Sequence, residues 1–198
     1  MKNNKPTTRI IAGKYKGKLL ELPSLEVTRS SKSRLKESLF NVLQFDIIDK
    51  IFIESFAGSG SIGLEAISRD AKRAYFVELD KNSYRILTKN CKLTDPNKCQ
   101  TFLGDTFVQT PSILDNLKNS DDELILYVDP PFDYREGMEE IYNKSFEMIR
   151  NIENENLTLI ILEHVSTLEI PDALGKFTLQ KTKKFGKSSL SYFELIQE

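Results

Sequence analysis

The sequence predicts an α/β fold with a mostly parallel sheet, helices on both faces and an antiparallel ending at the C-terminal end. Three observations carry this. From residue 50 onward, short apolar runs alternate with stretches of helical period, the pattern of repeated β-α units. Two of the early apolar runs end in glycine-bearing or acid-bearing turns, as strands feeding helices do. Before residue 50 the pattern differs, with a basic hairpin-like segment and one helix. The boundary falls at 45–50, which gives a basic N-terminal hairpin and helix extension over 1–48 and a sheet domain over 49–198. The 198 residues suffice for one compact domain with a small appendage.

In chain order, Arg9–Ala12 reads as a strand, Gly13 to Gly17 as a turn, and Lys18–Leu22 as the returning strand before Pro23. The turn sets Tyr15 between Lys14 and Lys16, an arrangement that suits either an RNA grip or a plain surface turn. Thr28 to about Phe45 reads as a helix, because Leu35, Leu39, Val42 and Leu43 recur on one face. Ser30, Ser31 and Ser33 are candidate caps. Arg29, Lys32, Arg34 and Lys36 crowd its first turns, where the helix dipole disfavours cations, and so hint at an anionic partner.

The sheet domain follows. Its strands are Ile51–Ile53, Ala74–Val77, Thr101–Leu103, Leu124–Val128 and Leu157–Leu162. Its helices run from about Leu64 to Arg69, Lys81 to Leu93, and over 106–118 and 136–150. Two antiparallel strands, about 177–184 and 190–196, turn around Gly186.

Charge and composition narrow the classes. The chain carries 28 Lys/Arg against 29 Asp/Glu, a net −1. Yet residues 1–36 hold ten Lys/Arg against Glu21 and Glu26, and Lys176–Lys187 adds five lysines and no acid. Two basic ends on a neutral chain suggest one positive face, the footprint of a phosphate backbone. Two cysteines without a CxxC, and a single histidine, argue against a metal site and for reduced thiols in a cytoplasmic protein. The N-terminus lacks the apolar segment of a signal peptide, and no apolar run is long enough to span a bilayer. His164 is expected to be structural, and a monomer is the default.

The loop Gly58-Ser59-Gly60-Ser61-Ile62-Gly63 is a G-x-G-x-x-G between a strand and a helix, with Glu78 20 residues beyond Gly58 at the next strand end. A dinucleotide oxidoreductase shares these features. Glu54 discriminates: a carboxylate ending the first strand would repel a pyrophosphate, whereas S-adenosylmethionine presents a sulfonium and an ammonium. Asp105, ending the third strand, could accept from an adenine amino group. Glu54, Glu78 with Leu79, and Asp105 with Thr106 then surround a cationic adenosine cofactor. Each acid could equally be a helix cap or a solvated turn.

Leu124–Val128 runs into Asp129-Pro130-Pro131-Phe132. Two prolines end the ladder and stiffen an extended turn. Asp129 and the Pro130 carbonyl can accept from an exocyclic amino group, and Phe132 can stack on its ring. The plain alternative is a tight turn with Phe132 in the core.

Phe56-Ala57-Gly58-Ser59-Gly60 with Glu78 and Asp129-Pro130-Pro131-Phe132 resembles the class I S-adenosylmethionine-dependent methyltransferases that act on amino groups, a Rossmann-like fold. The front narrows this: Arg9–Gly13, Gly17-Lys18, Arg29 and Arg34–Asn41 resemble the bacterial RsmD family, as does Gly63–Ala66 with Ser68-Arg69. The likeness runs from Arg9 to nearly the C-terminus. It implies methyl transfer from S-adenosylmethionine to guanine N2 of small-subunit ribosomal RNA, on naked RNA or on the small ribosomal subunit. It implies catalytic roles for Asp129, Pro130, Pro131 and Phe132, and cofactor contacts from Glu54, Phe56–Gly60, Glu78 and Asp105. At Glu54 the family usually carries aspartate, and the segment 95–122 fits it loosely. The RNA contacts expected are Arg9, Lys14, Lys16, Lys18, Arg29, Lys32 and Arg34. The residues alone leave open an adenine-N6 or glutamine-amide acceptor, a dinucleotide oxidoreductase, and a non-catalytic RNA-binding module.

Overall fold

The computed structural model describes residues 6–23, 29–131 and 138–196, and of residues 29–32 and 138–139 the backbone alone. Phe132 and the side chains of Arg29, Ser30, Ser31 and Lys32 therefore lie outside the described residues. A hairpin of β1 (Thr7–Arg9) and β2 (Leu19–Glu21) precedes α1 (Arg29–Val42). The units β3 (Ile51–Ser55) and α2 (Ser61–Ser68), β4 (Arg73–Glu78) and α3 (Lys81–Thr94), β5 (Cys99–Leu103) and α4 (Thr106–Asn116), and β6 (Leu124–Val128) and α5 (Met138–Arg150) follow. The chain ends with β7 (Leu157–Val165), β8 (Ala173–Leu174), β9 (Phe177–Phe185) and β10 (Ser188–Leu195).

The eight-stranded sheet has the order β5-β4-β3-β6-β7-β10-β9-β8. The first five strands of that order are parallel, and the last three run antiparallel. β3 and β6 are central and buried throughout, as strands covered on both faces of a parallel sheet should be. Successive side chains alternate between faces. Phe52, Phe76, Tyr127, Ile161 and Tyr192 face one way, against Leu35, Leu39, Phe40 and Leu43 of α1 and its continuation, and against residues of α2 and α3. Ile53, Val77, Leu126, Leu162 and Phe193 face the other, against α4 and α5. The strand order reverses between β3 and β6, and a crevice opens at such a point beyond the carboxyl ends.

Three differences from the sequence reading have physical causes. The hairpin pairs Thr7–Arg9 with Leu19–Glu21, not Arg9–Ala12 with Lys18–Leu22. The amides of Ile11 and Ala12 leave the ladder because they donate to the Glu65 carboxylate at 2.7 and 3.0 Å. β7 continues to Val165, so Glu163 and His164 lie within it. There β10 pairs with it from Ser188 to Glu194 and keeps the ladder closed. The two-residue β8, joined to the edge of β9, has too short a run to signal itself in sequence.

The N-terminal extension is tied to α2 by buried polar groups. Glu65 is fully buried and takes, besides the two amides, the guanidinium Nε of Arg69 at 2.9 Å, with the Lys36 ammonium 3.6 Å away. Ser68 accepts from the Tyr15 amide and donates to the Ala12 carbonyl. Gly13 sits so close that a Cβ there would lie 1.7 Å from the Ser68 carbonyl oxygen, with φ at +80° besides. Asn90 of α3 behaves as an extra strand residue. It exchanges two hydrogen bonds with the Glu21 backbone and donates to the Ser59 carbonyl.

Removing the acid should release the extension. Glu65→Ala strands two amides and two cations, and the expected loss is about 3–5 kcal/mol. Urea unfolding checks it: a midpoint near that of the wild type contradicts the role given to Glu65.

Candidate active site

α2 starts on Gly60, which has φ 75° and offers no capping side chain. The first free amides of the helix are met from below instead. Glu54, the fourth residue of β3, accepts from the Gly63 amide at 2.8 Å and the Ile62 amide at 3.4 Å. It is 3% exposed, and burial pushes its carboxyl up to about 8 despite those two hydrogen bonds. Gly63 is small for this reason, since a Cβ would meet the Phe76 ring at 2.4 Å and Glu54 Oε2 at 3.0 Å.

Between strand and helix the loop is wound tightly. Phe56, Gly58 and Gly60 all have positive φ, and for Phe56 that conformation is costly. Its ring packs edge-on against Phe107, 5.7 Å between centroids. Glu78 holds the loop from the next strand: Oε2 accepts from the Gly58 amide and Oε1 from the Asp80 amide, both at 2.7 Å. Asp80 in turn caps α3 by accepting from the Ser83 amide. Leu79, between them, is exposed.

A cavity of about 570 Å³ lies between the hairpin, the start of α1 and the carboxyl ends of the central strands. Glu54, Phe56, Ala57, Gly58, Ser59 and Asp129 line it, with Arg9 and Lys36 on the opposite wall. It thus unites seven of the residues expected in catalysis, cofactor binding or RNA contact, with Lys36 besides. Gly60, buried at the helix start, faces Leu87 and Phe76 and is not among the lining residues. Pro130 is buried and Pro131 exposed. Asp105 and Thr106 are elsewhere: Asp105 caps α4 by accepting from the Phe107 amide and lines a separate groove between α4 and α5. Thr106 is buried.

Glu163 also lines the cavity, and it is not among the site residues expected from the sequence. Glu54 stands opposite Tyr127, and Tyr127 opposite Ile161. Asp129 and Glu163 are each two residues further along, so by parity all three acids share one face on adjacent strands. The signal was available, because Glu163 closes an apolar run as the other acids do. Tyr127, itself fully buried, donates its hydroxyl to Glu163 Oε2. Burial, and then the negative Glu163, hold that phenol well above its usual range.

The expected RNA contacts divide. Lys14, Lys16, Arg9 and Arg34 are exposed. Lys18 donates to the Leu93 carbonyl and lies over the Tyr15 ring, as Lys14 does, 5.0 Å from its centroid in each case. The Tyr15 hydroxyl donates to Asp95. With its ring flanked and its hydroxyl engaged, Tyr15 braces the turn and does not stand ready to stack on a base. Lys36, one of the helix cations, is buried and donates to the Arg9 carbonyl at 2.7 Å. His164 is buried between the Val165 carbonyl and the Ser191 hydroxyl, 2.8 Å from each. Among the described residues there is no cluster of His, Cys, Asp or Glu fit for a metal, and no helix long and apolar enough to cross a membrane.

These features separate two cofactors. In dinucleotide folds the amides opening the first helix receive a pyrophosphate. Here a carboxylate of the protein receives them. A buried acid lining a cavity, whose ionised form burial disfavours and a neighbouring positive charge favours, suits a cationic ligand. The sheet order, glycine loop and buried acid define a class I S-adenosylmethionine-dependent methyltransferase. A family model described as conserved hypothetical protein 95 matches residues 8–194. The chain belongs to that family, the RsmD family. It is 38% identical over 135 residues to the ribosomal RNA small subunit methyltransferase D of Haemophilus influenzae, covering 67% of each chain. The solved yhhF protein of Escherichia coli superposes with a TM-score of 0.76 at 26% identity, over 98% of this chain and 100% of that one. An RNA methyltransferase from Salinibacter ruber, solved with S-adenosyl-L-homocysteine, shares the fold, with a TM-score of 0.56 at 14% identity over 83% of this chain and 92% of that one.

Proposed function

We propose that this protein methylates the exocyclic N2 of a guanine in small-subunit ribosomal RNA. The observation that carries the proposal is the placement of Asp129 in the same cavity as Glu54 and the glycine loop, beside a basic extension. The name of the Haemophilus influenzae relative supports the RNA.

Glu54, the loop Phe56–Gly60, Glu78 with Leu79, and Asp105 with Thr106 would hold the cofactor. Glu54 would face its cationic end and Glu78 its ribose. Asp105, outside the cavity, would reach it only at the adenine end. When bound, S-adenosylmethionine supplies an electrophilic methyl and a thioether leaving group. The guanine amino nitrogen is a poor nucleophile because its lone pair is delocalised into the ring. Asp129 and the Pro130 carbonyl accept hydrogen bonds from its two N–H groups and turn the lone pair toward the methyl. Pro131 stiffens the turn, and Phe132 stacks on the ring. The nitrogen gains the methyl and then loses one proton, to Asp129 or to water. Holding the reactants in line contributes much of the rate.

A base in folded RNA must be splayed out to enter such a cavity. The extension, residues 1–48, would hold the backbone through Arg9, Lys14, Lys16, Lys18, Arg29, Lys32 and Arg34. Lys181 and Lys183 of β9 add to this surface. Opposite Tyr192 and Leu190, they share the sheet face that carries α1.

Asp129→Ala should lower turnover by roughly 10²-fold or more while cofactor affinity stays near wild type. Single-turnover methyl transfer with calorimetry checks this, and undiminished turnover removes Asp129 from the mechanism.

Glu54 gives a pH signature. Its folded carboxyl, raised to about 8, binds a cation best once ionised, so cofactor binding releases a proton below that pH. The affinity of wild type relative to Glu54→Gln should rise from pH 6 to 8, by about tenfold per unit at most, and level off above. A ratio independent of pH excludes the contact. The free protein has the opposite sign: the stability this group contributes is full below the ordinary carboxylate range and is lost as pH rises through about 8.

Neutralising Lys14, Lys16 and Arg34 together should weaken RNA binding and flatten its dependence on salt, by roughly 0.7–0.9 in logarithmic slope for each phosphate that no longer meets a cation. An unchanged slope takes that surface out of the interface.

A further inference from the structure

Glu163 has no part in the chemistry above, yet it is 1% exposed and lines the cavity from the strand beside Asp129. Resting on the guanine reading, we propose that Glu163 is a specificity-determining residue that accepts the ring N1–H of the target guanine next to the amino group held by Asp129. The two nucleobases with exocyclic amino groups on a purine ring differ at this point. Guanine presents adjacent donors, N1–H and the 2-amino group, whereas adenine presents its 6-amino group beside a bare N1 acceptor. Asp129 and Glu163 offer two carboxylates on neighbouring strands, which lie about 4.8 Å apart. Two acceptors side by side match guanine. Adenine would set its N1 lone pair against a buried carboxylate, and such a mismatch is a strong basis for rejection.

The surroundings of Glu163 fit the role. The Tyr127 hydroxyl donates to Oε2 and fixes the carboxylate from beneath. A carboxylate has about four acceptor sites, so it can hold the Tyr127 hydroxyl and accept from a base as well. Across the sheet the order is Glu54 on β3, Asp129 after β6, Glu163 on β7. The amino group therefore lies between the acid nearest the glycine loop and the acid assigned to N1.

The analogue 2,6-diaminopurine tests this, because it keeps the 2-amino group and lacks N1–H. Small-subunit ribosomal RNA is ligated with guanine, 2,6-diaminopurine or adenine at the target position. It is presented naked and in the reconstituted subunit, and kcat/KM is measured for wild type and Glu163→Gln. Wild type should favour guanine over 2,6-diaminopurine by about tenfold or more. In Glu163→Gln the amide can turn its oxygen to Tyr127 and its NH2 to the base, and the preference should shrink to within about threefold or reverse. Equal wild-type rates on guanine and 2,6-diaminopurine overturn the role of Glu163 and leave the guanine reading intact. So does a variant that slows both by one common factor. Preferred methylation of the adenine RNA overturns the guanine reading itself, and this inference with it. Should Glu163→Gln fail to fold by thermal unfolding, the wild-type comparison decides alone.

Discussion

Glu54 reaches up from β3 to the opening amides of α2, and the architecture of the site follows from that contact. The helix begins on a glycine with no side chain to cap it, so the strand below supplies the carboxylate. The loop between them must then turn within the five residues Phe56–Gly60, which is why Phe56, Gly58 and Gly60 adopt positive φ. Gly63 must lack a Cβ for the carboxylate and the Phe76 ring to fit. With its amides occupied, the helix terminus is no longer an anion site. A glycine signature that formally suits a dinucleotide would here suit a cation.

A second carboxylate, on α2 itself, does a different job. Glu65 gathers two hairpin amides, Arg69 and Lys36 into a fully buried cluster. Charges this deep are tolerated only when paired and hydrogen-bonded. The cluster makes the hairpin and α1 one wall of the cavity whose other wall is the strand ends. α2 thus carries the glycine loop at one end and the basic extension along its side.

Much of the fold was legible because its strands are short, apolar on both faces and separated by amphipathic helices. Leu124–Val128 matches its predicted bounds, and most helices start within a residue or two of expectation. The glycine loop, Glu54 and Asp129 could be placed near one another because strand ends in such sheets converge. What escaped were contacts between residues distant in sequence. Glu65 and Lys36 look like solvated helix charges until tertiary packing buries them, and Ile11-Ala12 looks like strand until its amides turn to Glu65. Asp105 looked like its neighbours at strand ends, but it caps α4 outside the cavity. Glu163 was visible as one more strand-end acid. Its neighbour His164, the single histidine, turned out to be an internal hydrogen-bonding residue.

The central claim is the identity of the methylated atom. Purified protein, isotopically labelled S-adenosylmethionine and small-subunit ribosomal RNA from a strain lacking the enzyme can be combined, the RNA digested to nucleosides, and the label located by mass spectrometry. The predicted result is label in N2-methylguanosine at one position, absent with Asp129→Ala. Label in N6-methyladenosine, or none in the RNA under conditions where the protein binds its cofactor, would contradict it.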